Sequence, residues 1–265
     1  MTAATPTEEL FRQDATRTEC TARVLDVTEQ GVVLDRTVFY PLGGGQAGDA
    51  GWLLLADGSE LTIADTRKEK AEDGSFTGRI CHQRLPDERE QLSKIQQGDT
   101  VTARIDAARR QRLMRFHTAS HVLCHVVGKP VNGCSITPDY ARIDFHMTEP
   151  LDKEQLTAAL ARLVAAALPV TVGSVTDAEL DANPGLVKSM SVQPPRGSGT
   201  VRTIRISAAA ADAGRIGAAD DGLIDLQPCG GTHVANTAEI GAMVVTKIEK
   251  KSASTRRVVL GFAPA

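Results

Sequence analysis

Two residue pairs, His117/His121 and Cys229/His233, constrain this chain more than anything else in it. Each pair has three residues between its members. On a helix, residues four apart lie on one face, one turn from each other. The imidazoles of His117-Thr118-Ala119-Ser120-His121 can therefore converge on one point. Cys229-Gly230-Gly231-Thr232-His233 can do the same from a tight loop, because glycine lets the backbone turn sharply. A fold that joins the pairs must bring together segments over a hundred residues apart. The combined donors are three nitrogens and one sulfur, a set suited to zinc. No Glu lies between His117 and His121, so this is not the His-Glu-x-x-His arrangement of metalloproteases. Four protein ligands would close a tetrahedron and suit a structural ion. Three ligands plus water would leave a position for polarising a water or an ester carbonyl. The sequence leaves both open.

Other histidines and cysteines carry less. His125 continues the helical spacing but sits round the helix from His117 and reads as packed or exposed. His82 and His146 have no motif around them. The five cysteines are odd in number and irregularly spaced, which is not a disulfide framework. Cys20, Cys81, Cys124 and Cys134 read as small buried hydrophobes. The net charge of −3 argues against a non-specific polyanion binder. The charge is unevenly placed, however. Residues 1–100 hold 11 Lys and Arg against 18 Asp and Glu, and the remainder holds 19 against 15, so the half with the His and Cys motifs is the positive one. No apolar run reaches the length of a bilayer span. The polar, acidic stretch from Met1 to Asp14 has no signal-peptide character. A cytoplasmic protein without membrane contact is expected, taken as a monomer.

The 265 residues suffice for two modest domains. Cys20–Val27, Val32–Asp35, Gly51–Leu55, Leu61–Ala64 and Val101–Ile105 read as short strands separated by turn signals, the pattern of a small β-barrel or sandwich. Pro41-Leu-Gly-Gly-Gly-Gln-Ala-Gly-Asp49 interrupts them with three consecutive glycines. Ala107–Val127 reads as a long helix with a stripe of Leu113, Phe116, Ser120, Leu123 and Val127, and with His117 and His121 at the stripe's edge. Arg109, Arg110, Arg112 and Arg115 crowd the turns before the histidines, where mutual repulsion makes a phosphate partner a reasonable expectation. Lys129-Pro130 ends the helix. Ala141–Phe145 alternates as a strand. Asp152 opens a second amphipathic helix bearing Leu156, Leu160, Leu163 and Ala167. Asp177–Met190 reads as a short helix or loop, Gln193–Gly199 as a loop and Val201–Ile206 as a strand. Ala208–Asp221 has no clear period. Ile240–Lys250 and Arg256–Phe262 form a hairpin with a Lys/Ser tip. The expected division is 1–106 for the barrel and 107–265 for the domain holding the metal motifs.

At these motifs the chain resembles a known family. His117-Thr-Ala-Ser-His121 and Pro228-Cys-Gly-Gly-Thr-His-Val234 are similar to the paired zinc motifs of the alanyl-tRNA synthetase editing domain and of its free-standing relatives, the AlaX trans-editing proteins. The threonyl-tRNA synthetase editing region is similar as well. Asn236-Thr-Ala-Glu-Ile-Gly241, Arg256-Arg257 and the glycine-rich Phe39–Asp49 segment fit the same family, and the likeness runs from about residue 20 to 262. No class II synthetase core motifs are found. The resemblance is to the medium-length AlaX type.

It implies an α+β fold, with an N-terminal small β-barrel followed by a C-terminal α/β editing domain with an antiparallel sheet and a zinc site. It implies hydrolysis of the ester joining a wrong amino acid, chiefly serine and also glycine, to tRNA(Ala). An alanine pocket cannot reject these by packing alone, so a second, hydrolytic site is needed. By position, His117, His121, Cys229 and His233 are the Zn2+ ligands. Gly43, Gly44, Gly45 and Gln46 match the loop that helps shape the pocket, and Asn132 and Ser135 fall where the family senses the substrate hydroxyl. Arg109, Arg112, Lys247, Lys250, Lys251 and Arg256 are candidate contacts to the tRNA acceptor stem and 3′ end. The attacking group is a zinc-held water, with no side-chain base assigned. Two rivals stand beside this reading. One is a non-catalytic, zinc-stabilised RNA-binding module. The other is a deacylase for a different mischarged tRNA.

Overall fold

The computed structural model describes residues 5–190, 193–194, 199–208 and 222–264. The chain divides into two compact units. One is Met1–Gly43 with Ala47–Gln111, and the other is Gly44–Gln46 with Arg112–Ala265. The division falls inside the long helix, and the tip of the glycine-rich loop belongs with the second unit.

The first unit is built on a closed antiparallel barrel. Its strands run in the order Glu19–Thr28, Gly31–Leu34, Phe76–Arg84, Glu60–Lys70, Gly51–Leu54, Thr100–Ile105 and back to the first. Period-two alternation closes it. Cys20, Ala22 and Val24 point inward while their neighbours face out, and Val32, Leu34, Leu53, Leu61, Ile63, Val101, Ala103 and Ile105 fill the interior. Two polar groups are buried with full satisfaction. The Nδ1–H of His82 donates to the Val32 carbonyl at 3.0 Å, which leaves Nε2 to accept from the Thr37 hydroxyl at 2.7 Å. That hydroxyl accepts in turn from the Phe39 amide. Arg110 clamps Asp49 with Nε at 3.0 and 3.1 Å from its two oxygens, and spends its remaining donors on the Val38 and Ala15 carbonyls. Arg110, one of the four arginines expected to face phosphate, is thus consumed inside the unit.

The second unit holds two antiparallel sheets. One has the order Met243–Ser252, Thr255–Phe262, Ala141–His146, Val131–Ile136. The other has the order Val170–Thr176, Thr200–Ser207, Leu223–Pro228. The helix Ala107–Val127 has the bounds expected from its pattern. It ends where Gly128 takes a positive φ and returns its amide to the Cys124 carbonyl. Phe116 packs on Phe262 with ring centres 4.5 Å apart. The second helix, Lys153–Ala165, starts at Asp152, whose carboxylate accepts from the Gln155 amide.

Several local expectations are corrected. The second helix stops before Ala167, which adopts φ 50°. Ile240 closes a 3-10 turn, Thr237–Ile240, and the hairpin strand begins only at Met243. Phe76–Arg84, Val131–Ile136, Val170–Thr176 and Leu223–Pro228 are strands that the pattern did not reveal. Most of Gln193–Gly199 and all of Ala208–Asp221 except Ala208 lie outside the described residues.

Candidate metal centre

The long helix and the glycine loop bring His117, His121, Cys229 and His233 together, with one donor atom from each within 4.8 Å of all the others. The three histidines are at most 8 % exposed, so the pair expected at the edge of an apolar stripe is in fact inside. The helix is buried almost all round between Leu113 and Cys124, and so no stripe has an edge there. The Cys229 sulfur lies 3.4 Å from His117 Nε2 and 3.3 Å from His233 Nε2. A tetrahedral zinc with bonds of about 2.3 Å to sulfur and about 2.0–2.1 Å to nitrogen requires S···N edges of roughly 3.5 Å. The donors therefore fit such an ion.

The orientation of the rings fits it too. Each histidine holds Nδ1 against an outer partner. His117 Nδ1 meets Gln46 Oε1 at 2.7 Å, His121 Nδ1 meets Asp225 Oδ2 at 2.8 Å, and His233 Nδ1 meets the Thr118 hydroxyl at 3.1 Å. The Gln46 amide oxygen and the Asp225 carboxylate can only accept, which places the proton of His117 and His121 on Nδ1 and leaves Nε2 for a metal, while the Thr118 hydroxyl, donor or acceptor, holds the His233 ring in place. Gln46, fully buried, is itself locked. Its Oε1 also accepts from the Thr232 amide at 3.1 Å, and its Nε2 donates to the Thr232 hydroxyl at 2.9 Å.

The glycines have a steric reason. A Cβ on Gly231 would lie 2.1 Å from His117 Cε1 and 2.8 Å from Gln46 Oε1, so the loop reaches the histidine only without a side chain. Gly45, at φ +85°, would place a Cβ 2.3 Å from the Cys134 sulfur.

Electrostatics in the cluster favour the metal-binding form of the thiol. Burial alone would push the Cys229 thiol up, but electrostatic interaction with the His117 and His233 rings and hydrogen bonds with His117 and His121 carry it well below the usual thiol range. Burial, with electrostatic interaction with His117 and His121, pushes His233 down to about 3, so it stays neutral. His121 goes the other way. Burial disfavours its charge, yet hydrogen bonds to Asp225 and Cys229 outweigh that and raise it.

The remaining expected site residues are placed as follows. The Gly43 carbonyl accepts from the Tyr40 hydroxyl and that of Gly44 from the Cys134 thiol. Asn132 donates to the Thr255 hydroxyl at 3.0 Å. Ser135 lies opposite Arg142 in the sheet. Neither Asn132 nor Ser135 hydrogen-bonds to the cluster. Arg109 donates to the Gly48 carbonyl. Arg112 donates to the Pro138 carbonyl and stacks over Phe262. Arg256 is buried on the Ser252, Thr255 and Thr148 carbonyls. Lys247 pairs with Glu249, and Lys250 and Lys251 are exposed. Asp225 and Thr118, which orient two of the histidines, were not foreseen. Thr118 lies within the His-x3-His motif, but nothing local marks its role, and Asp225 has no motif at all.

Comparison with known proteins agrees with this architecture. Residues 201–259 match the family described as the threonyl and alanyl tRNA synthetase second additional domain. Residues 5–109 match the family described as class II (A) tRNA synthetases. The chain is 33% identical over 261 residues to the alanyl-tRNA editing protein AlaX-M of Methanosarcina barkeri, covering 95% of this chain and 97% of that one. It is 29% identical over 262 residues to AlaX-M of Saccharolobus solfataricus, covering 97% and 100%. It is also 34% identical over 254 residues to the alanine–tRNA ligase of Metallosphaera sedula, where 92% of this chain corresponds to only 25% of the ligase. With a buried three-histidine, one-cysteine cluster and near end-to-end correspondence to these editing proteins, the chain belongs to the AlaX-M family of alanyl-tRNA editing proteins.

Proposed function

We propose that this protein is a zinc-dependent deacylase of mischarged tRNA(Ala), with Ser-tRNA(Ala) its chief substrate and Gly-tRNA(Ala) a second. The observation that supports the reading most is the cluster in which three histidines each hold Nδ1 on an oxygen and turn toward a thiolate-forming cysteine. Family membership supplies the substrate class. In this reading His117, His121, Cys229 and His233 hold the metal. When bound, zinc supplies a Lewis acid that polarises an ester carbonyl or lowers the pKa of water.

The chain's own residues do the rest. Gln46 and Asp225 set the tautomer of His117 and His121, and with Thr118 on His233 they aim the three imidazoles. Gln46 also ties the loop tip Gly44–Gln46 to Thr232, and Gly43, Gly44 and Gly45 are proposed to help shape the pocket for the aminoacyl group. Asn132 and Ser135 are the proposed sensors of the substrate hydroxyl. Of the basic residues, Lys250 and Lys251 are the proposed contacts to the acceptor stem and 3′ end. Arg109, Arg112, Arg256 and Lys247, already engaged within the protein, serve the RNA only by extending those contacts. The domain carrying the chemistry is taken to begin at residue 107, after the barrel of 1–106. Among the described residues no helix is long and apolar enough to cross a membrane, and the proposed setting is the cytoplasm, where aminoacyl-tRNA is found.

One observation favours a second reading. Four protein donors are enough to close a tetrahedron, as in a purely structural site. Release of serine from Ser-tRNA(Ala), of glycine from Gly-tRNA(Ala) and of alanine from Ala-tRNA(Ala) by zinc-loaded and metal-stripped protein separates the two. Zinc-dependent serine release with alanine spared is expected. No release from any of them, with RNA still bound and the fold lost on stripping, would establish the structural site instead.

A further inference from the structure

Asp225 does not hold His121 alone. Its carboxylate is wholly buried, and both oxygens are in use. Oδ2 accepts from His121 Nδ1 at 2.8 Å and from Gln227 Nε2 at 2.9 Å. Oδ1 accepts from the Lys188 ammonium. The lysine side chain is only a quarter exposed, and its backbone is fixed on both sides. The Val131 amide donates to the Lys188 carbonyl at 2.9 Å, and the Met190 amide donates to the Val131 carbonyl at 2.8 Å. Leu186 and Val187, just before it, pack against Val175, Leu180 and Val201. Lys188 thus connects the edge strand Val131–Ile136 to a carboxylate that faces a metal-ligand histidine.

We infer that Lys188 is a positioning residue for the metal centre, setting the aim of His121 through Asp225. The inference rests on the proposed metal site. A carboxylate turns about its terminal bond over a broad range of angles unless both oxygens are held. With Oδ1 on Lys188 and Oδ2 on Gln227, only one orientation of Asp225 satisfies every partner. That orientation presents Oδ2 to Nδ1 and turns Nε2 into the cluster. His117 and His233 rely on neutral partners, Gln46 and Thr118. His121 alone depends on a charged chain, histidine to carboxylate to ammonium, with charge-assisted bonds at each link. Outer partners of this kind tune metal affinity by roughly 10- to 100-fold. A lysine whose only task was to join a loop to a strand would change folding stability without touching the metal.

The test is zinc affinity of the full chain by chelator competition, together with the visible spectrum of the cobalt-loaded protein. Wild type, Lys188→Met, Lys188→Arg and Asp225→Asn are compared, with Lys188→Gln replacing Lys188→Met if the latter does not fold. Lys188→Met is expected to bind zinc about 10- to 100-fold more weakly and to shift the cobalt bands. Asp225→Asn should do the same, while Lys188→Arg, which keeps the cation, restores most of the affinity and the wild-type spectrum. Wild-type affinity and spectrum in Lys188→Met would overturn the inference, as would a loss that Lys188→Arg repeats in full. A wild-type chain that takes up no zinc would overturn the metal site itself, and this inference with it.

Discussion

Replacing Gly231 by alanine should disable the proposed metal centre while leaving the two sheets intact. The added Cβ would sit 2.1 Å from His117 Cε1 and 2.4 Å from its Nδ1. Ordinary contact begins near 3.4 Å, so the imidazole must retreat by about 1.3 Å. A metal ligand tolerates a displacement of about 0.2 Å, and His117 cannot move alone. Gln46 Oε1, 2.8 Å from the same Cβ, is locked to Thr232 on both of its polar atoms. Either the ring leaves the cluster or the loop lifts and takes Cys229 with it. Both outcomes remove a donor, so zinc affinity should fall by at least 10- to 100-fold, about 1.4–2.7 kcal/mol. Gly185→Ala is the control, because its Cβ would meet nothing within 4 Å and its φ is ordinary. Both variants would be titrated with zinc against a chelator and checked by circular dichroism. Wild-type zinc affinity in Gly231→Ala, with the fold retained, would refute the steric argument.

Other expectations follow from the same geometry. Gln46→Leu strands His117 Nδ1 and the Thr232 amide without acceptors in a buried site, which should cost about 1–3 kcal/mol of stability and weaken zinc binding in the same variant. Arg110→Met leaves the Asp49 carboxylate buried with its strongest partner gone, and chemical denaturation should show a loss of about 3–5 kcal/mol. His82 gives a pH dependence. Burial pushes it down to about 4, against 6.5 for the free imidazole. The unfolded chain therefore takes up the proton first, and the stabilising contribution, complete above pH 6.5, is lost as pH falls toward 4. The difference is about 3 kcal/mol, and thermal melts from pH 7 to pH 4 should show a shallower decline in His82→Gln than in wild type.

The parts of this fold that were legible are those with local causes. The helix Ala107–Val127 reads to the residue because its apolar content is high and Gly128-Lys129-Pro130 stops it. The barrel strands with in-out alternation read well, but Phe76–Arg84 did not, since Thr77, Arg79 and Gln83 leave too few apolar positions to set a period. Val131–Ile136 contains Asn132 and Gly133, which disfavour strands, and is held there by its pairing with Ala141–His146. In the candidate metal centre the four residues share a spacing rule, which is how the sequence marks them as possible donors. Their outer partners do not. Gln46 is marked in the sequence only by the family resemblance of its loop, and nothing local shows that its side chain lies on His117. Asp225 meets His121 across more than a hundred residues of chain, a juxtaposition that only tertiary packing creates.

The loop tip Gly44–Gln46 has a consequence for how such proteins can be divided and recombined. A gene fragment opening at Arg112 would encode all four donors yet omit three residues of the same compact unit, including the acceptor for His117. The halves are therefore not interchangeable cassettes. A duplication, fusion or split that moved the later half alone would inherit a centre with one ring unaimed, so the earlier half must travel with it.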